Sequence, residues 1–207
     1  MATRAMPESM HPTKRQLLEA GLKMLLERGY NDLGVQALLS ATGTPKGSFY
    51  HHFASKEDFA LQAVDMYMGA VHQGLAACLS DNGAPPLTRV RSFFEATRES
   101  YRGDGYLGCM LGGLGQELAG VSEAFRTKID GCLTTIGEQL AACLVEAHAR
   151  GELAPGADPH HLAKLLVNCW EGAALRSRLQ RNPQPLDEML EFYFQMATRN
   201  GQPTDKA

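Results

Sequence analysis

The chain has 207 residues, 44% of them hydrophobic, with 20 Lys/Arg against 23 Asp/Glu and a formal net charge of −3. That length can bury a core in one or two small domains, and the apolar content excludes global disorder. Charge interrupts every apolar stretch within a turn or two, which excludes a bilayer-spanning helix. The opening "MATRAMPESMHPTKRQ" lacks the apolar centre of a signal peptide, so a cytoplasmic protein is expected. Its five scattered cysteines (Cys78, Cys109, Cys132, Cys143, Cys169) then read as reduced thiols. No Cys/His spacing calls for zinc. The adjacent His160 and His161 would diverge by ~100° on a helix, so neither metal nor cofactor is expected.

In chain order the segments read as helices. Thr13 with Gln16 forms a capping box for the first, whose leucines Leu18, Leu22, Leu25 and Leu26 face inward until Gly29 stops it. On its solvated face Arg15, Glu19, Lys23 and Glu27 alternate in sign at i, i+4. Gly34 opens a short helix to about Thr42, Gly43 makes a turn, and Thr44 caps a third helix with Pro45 at its first position. Ser55 caps a fourth, running to about Leu79. Further helices are expected over 87–101, 109–118, 122–150, 158–179 and 185–198. No stretch alternates like a strand, so the fold class is all-α with nine helices.

Two short helices joined by a glycine turn make a helix-turn-helix, whose second helix enters the major groove by its N-terminal end. The segment "TPKGSFYHHF" suits that task. Gly47 lets the helix lie close to DNA, and Lys46 supplies a charge for phosphate or a guanine edge. Thr44, Ser48, Tyr50, His51 and His52 offer hydrogen-bonding groups, while Phe49 and Phe53 anchor the helix to its own domain. Lys56 can reach phosphate at the next helix N-terminus. Residues 1–56 carry seven Lys/Arg against four Asp/Glu, and the remainder carries the acidic excess. Such asymmetry fits a polyanion partner for the first part and is also common by chance.

The stretch "LLERGYNDLGVQALLSATGTPKGSFYHHFASKEDF" resembles the N-terminal domain of TetR-type transcriptional repressors. The resemblance implies that Tyr50, His51 and Lys56 contact phosphates, that Gly47 lies against the DNA backbone, and that Thr44, Lys46 and Ser48 lie at the base-reading end. Gly34 stands where the family usually has a Ser or Thr cap, so the phosphate contact of that hydroxyl is missing. A DNA-binding domain over 10–56 and a ligand-binding and dimerisation domain over 57–200 are expected. The partners are then double-stranded operator DNA, a small-molecule effector and a second copy of the chain. Pairing would use the last two helices, through Leu162, Leu165, Leu166, Cys169, Gly172 and Ala173 on one and Leu186, Met189, Leu190, Tyr193 and Phe194 on the other.

"GCMLGGLGQEL" and "WEGAALRSRL" resemble a TetR subgroup that includes repressors responding to acrylate and to electrophiles such as N-ethylmaleimide. In its electrophile sensors the cysteine matching Cys109 is the redox-sensitive residue. At a helix N-terminus Cys109 is expected to have a lowered pKa; as an alternative it is a small buried hydrophobe. Trp170 and Arg176 either wall a pocket and pair with a ligand carboxylate, or belong to bundle core and helix end. A second class remains open, a cytosolic thiol enzyme using Cys109 with His148 or His72.

Overall fold

The structure, a computed structural model, describes residues 10–198. The start of the segment read for a signal and the expected domain end at 200 lie outside the described residues. Within them are α1 (Pro12–Arg28), α2 (Val35–Thr42), α3 (Lys46–His52), α4 (Lys56–Leu79), α5 (Pro86–Gly103), α6 (Met110–Leu118), α7 (Glu123–Ala149), α8 (Pro159–Gln180) and α9 (Gln184–Thr198). Nine helices and no strand are present among the described residues, as expected.

Local chemistry starts and stops these helices. Ser55 Oγ accepts from Asp58 N at 3.0 Å, and the Asp58 carboxylate reaches back to accept from Ala54 N at 2.8 Å. Ser122 and Asp158 cap α7 and α8 in the same way. Two expected caps differ. His11 caps α1, its Nδ1 accepting from Thr13 N, and Gln16 instead donates to the Thr42 carbonyl at 3.2 Å. Pro45 is itself the cap residue of α3, without a side-chain hydrogen bond, and Thr44 belongs to the turn. Gly43 takes φ 63°, the left-handed conformation that the α2–α3 turn demands and a side chain would resist.

The chain divides into two compact units after Tyr67, inside α4. In the first, Leu17, Leu18, Leu25, Leu38, Phe49, Phe53 and Phe59 form the core. The three phenylalanine rings pack with centroids 5.0–5.5 Å apart. Gly21 brings α1 against Phe59 so closely that a Cβ would fall 2.1 Å from the ring.

In the second unit α7 packs along α8, α8 along α9, and α5 and α6 against α7. Trp170 lies in this core, 4.8 Å from Phe94 and 5.8 Å from Tyr101 between centroids. Leu186, Leu190, Tyr193 and Phe194 are buried there too, and Tyr193 donates to the Leu162 carbonyl at 2.9 Å. The expected pairing face of α9 is therefore largely spent inside its own chain.

Candidate functional site

The helix-turn-helix is present as α2, Gly43 and α3. Burial of Phe49 and Phe53 fixes which side of α3 faces its own unit. The opposite side presents Lys46, Gly47, Tyr50 and His51 to solvent, with Thr44 and Ser48 half-buried at its edge. Tyr50 is 55% exposed, with one edge of its ring on Phe49 at 5.2 Å between centroids and the rest open to solvent. A Cβ at Gly47 would meet nothing within 4 Å, so the chain's own packing does not require glycine there. Lys56 lies with Nζ 4.4 Å from the Tyr30 ring centroid and 3.5 Å from the Asn31 carbonyl, which holds its charge near the start of α4.

The end of α3 carries a histidine cluster. The His52 ring centroid is 5.0 Å from that of His11 and 5.0 Å from that of His51. Burial, and then the positive charges of His11, His51 and Lys14, hold His52 below its ordinary value of 6.5. Folding thus disfavours a proton that the unfolded chain accepts. The stability contribution is complete above about 6.5 and is lost as pH falls through the unfolded and then the folded value. Urea unfolding of the wild type should show lower stability at pH ~5.5 than at pH ~7.5. His52→Gln should shrink that difference; an unchanged pH dependence would clear His52 of the role.

The second site is built where the N-terminus of α6 meets α8. Cys109 is the cap residue of α6. The residue is half-buried and its sulfur is enclosed. Burial first, and then the neighbouring Glu171 carboxylate, push the thiol up to about 12. The Leu111 and Gly112 N–H groups face the sulfur and oppose that shift, though no cap bond of ordinary geometry forms. The expected lowered pKa is corrected: the helix end is in place, but burial and a carboxylate outweigh it. Glu171 is itself raised, chiefly by burial, and accepts a hydrogen bond from the thiol.

Glycines make this approach possible. A Cβ on Gly112 would stand 2.3 Å from Glu171 Oε2, and one on Gly113 would stand 3.9 Å from an Arg178 guanidinium nitrogen. Arg178 donates to the Leu107 carbonyl at 3.0 Å, tying the loop before α6 to α8. Glu171 and Arg178 are seven residues apart, nearly two turns, and so share a face of α8. Arg176 is exposed and lies about 140° from Glu171 around the helix. The structure thus sets Arg178, not the expected Arg176, beside the α6 glycines. Trp170 is packed into the core with Phe94 and Tyr101, not presented as an open pocket wall. The group bonded to the Cys109 sulfur is Glu171 and not a histidine, and His148 is exposed.

Sequence reasoning missed Glu171 and Arg178 as members of this site. A cavity of about 270 Å³ elsewhere is lined by Leu87, Thr88, Arg91, Phe194, Gln195 and Thr198, none of them an expected DNA- or effector-binding residue.

Comparison with known proteins agrees with this fold. The pattern described as "Bacterial regulatory proteins, tetR family" matches residues 17–63. That described as "Tetracyclin repressor-like, C-terminal domain" matches 86–193. The transcriptional regulator AcuR of Cereibacter sphaeroides is 39% identical over 83% of this chain and 79% of its own length. The transcriptional repressor DhaR of Mycobacterium sp. is 33% identical over 89% and 91%. The crystal structure of the reduced form of Escherichia coli NemR superposes with a TM-score of 0.80 at 27% identity, covering 93% of this chain and 99% of that one.

Proposed function

The chain belongs to the TetR family of transcriptional regulators, and from that premise we propose that it is an operator-binding repressor released by a small unsaturated or electrophilic compound acting at Cys109. The family also sets aside the thiol-enzyme alternative, since the matched proteins are regulators of transcription.

The outward face of α3 carries the DNA reading. Lys46, Gly47, Tyr50 and His51 are exposed beside a turn whose backbone is fixed by Gly43. With Thr44 and Ser48 they meet bases and phosphates, and Lys56 adds a phosphate contact at the start of α4. The operator is bound by a dimer. The exposed apolar residues Leu165, Leu175 and Leu179 of α8, and Phe192 and Met196 of α9, supply the pairing surface.

The effector acts at Cys109, where Glu171 and Arg178 stand against the glycines of α6, and Arg178 is the cation placed to pair with its carbonyl or carboxylate oxygen. One relative supports this reading: NemR of Escherichia coli has a structure in a reduced form. Added atoms at Cys109 displace a junction whose neighbours Met110, Leu111 and Leu114 are buried. A packed junction of that kind shifts as a unit.

The test is a gel shift on the DNA flanking the gene, with N-ethylmaleimide or acrylate titrated against the five single Cys→Ser variants. Cys109→Ser should bind DNA as the wild type does and lose release, while the other four variants respond normally. Release of Cys109→Ser at wild-type concentrations would reduce Cys109 to a packing residue. Failure of the wild type to retard any flanking DNA would sink the operator reading.

A further inference from the structure

A thiol raised to about 12 is almost wholly protonated near neutrality and should be a poor nucleophile. Its surroundings supply a remedy. The Cys109 S–H donates to the Glu171 carboxylate. The absence of a side chain at Gly112 lets Glu171 Oε2 approach the first turn of α6. On the same side the Leu111 and Gly112 N–H groups face the sulfur. The sulfur therefore sits between an acceptor for its proton and donors for the charge it would then carry. On α8, Arg178 lies further along this face, beside Gly113 and Gly108.

We propose that Glu171 is the general base that activates Cys109 for addition to a carbonyl-conjugated alkene. The proposal deepens the effector reading above and rests on it. Moving the proton within the pair leaves one negative charge where there was one before, so the enclosed site never holds two. The carboxylate takes the thiol proton as the S–H bond breaks. The sulfur electron pair forms a bond to the β-carbon of the alkene, and the π pair moves to the α-carbon beside the carbonyl. The α-carbon then takes the proton from the Glu171 carboxylic acid, which restores the carboxylate. S–H has added across C=C, with no net oxidation or reduction and no other reactant.

Glu171 has an alternative role that makes the opposite prediction. Its charge alone raises the thiol, so if it only suppressed the thiolate, Glu171→Gln would react faster. The experiment labels the full-length protein with N-ethylmaleimide and follows Cys109 by intact-mass and peptide mass spectrometry. The expected result at pH ~7.5 is labelling at least about tenfold slower in folded Glu171→Gln than in wild type. Wild-type labelling should change less than about threefold between pH ~7 and ~9, whereas the variant should climb about tenfold per pH unit.

Equal or faster labelling of a variant that keeps its helicity overturns the proposal. So does a wild-type rate climbing about tenfold per unit, a measurement that needs no variant. The two readings fail differently. Cys109 labelling through Glu171 without operator release would leave the base standing and remove the effector reading. Release that needs Cys109 while Glu171→Gln labels normally would remove only the base.

Discussion

Phe192→Asp should convert the dimer to a folded monomer and weaken operator binding by at least about a hundredfold. Phe192 is 66% exposed, so in the single chain the aspartate would sit in water. Only pairing would bury it, and a desolvated, unpaired carboxylate in an apolar interface is strongly unfavourable. Leu165, Leu175 and Leu179 on α8 and Phe192 and Met196 on α9 are all exposed leucine, phenylalanine or methionine on helices that pack together. They form the kind of surface that monomers seldom leave in water. Losing the pair separates two reading helices, so the second half-site no longer binds at high effective concentration, an advantage of roughly 10²–10⁴. Sedimentation velocity and a gel shift on one sample check both parts. Leu190→Asp is the wrong probe: Leu190 is buried within its own chain, and a charge there would unfold the monomer itself. A Phe192→Asp protein that still sediments as a dimer would place the interface elsewhere.

Helix α9 shows what periodicity can and cannot carry. That helix has apolar residues on the inward side (Leu186, Leu190, Tyr193, Phe194) and again on the outward side (Phe192, Met196). Amphipathic spacing identifies a helix, but a helix apolar on two sides does not say which side its own chain takes. The caps divide similarly. Ser55 was legible because its acceptor lies three residues from the N–H it serves. Thr13 is not the cap: His11 Nδ1 accepts from Thr13 N, the N–H group that Gln16 would have served in the capping box. Cys109 was correctly set at the start of α6, yet its acidity is governed by its enclosure and by a carboxylate from α8. Contacts between distant helices decide that balance, and the same contacts separate Arg178 from Arg176. Recognition of α3 succeeded because its chemistry is written in one continuous decapeptide.

Arg89 carries a large expected stability effect for a charged side chain. It is a cation left 4% exposed in the second unit. One guanidinium nitrogen donates to the Leu79 carbonyl at 2.7 Å, and another donates to the Glu146 carboxylate. Leu79 is the last residue of α4, so the guanidinium satisfies a terminal carbonyl and meets the negative end of the helix dipole. Glu146 belongs to α7, and the contact joins the end of α4, the start of α5 and the end of α7. Glu152 strengthens the same corner by accepting from Leu87 N at 2.8 Å. Hydrogen bonding from Arg89 is the main reason the Glu146 carboxyl is held below its ordinary value. That contribution is present above about 4.5 and disappears as pH falls through the lowered folded value. Arg89→Ala would remove both bonds, leave a cavity and strand the Leu79 carbonyl. Stranding the Leu79 carbonyl costs about 1–3 kcal/mol and is the larger part of the expected loss. For a chain of this size a loss of ~2 kcal/mol corresponds to a Tm lower by roughly 4–8 °C. Glu146→Gln should cost much less, because the guanidinium keeps the Leu79 carbonyl and the amide oxygen can still accept. Calorimetry of the two variants separates the roles: equal losses would assign the stability to the ion pair, and a far larger loss in Arg89→Ala assigns it to the buried cation that closes α4.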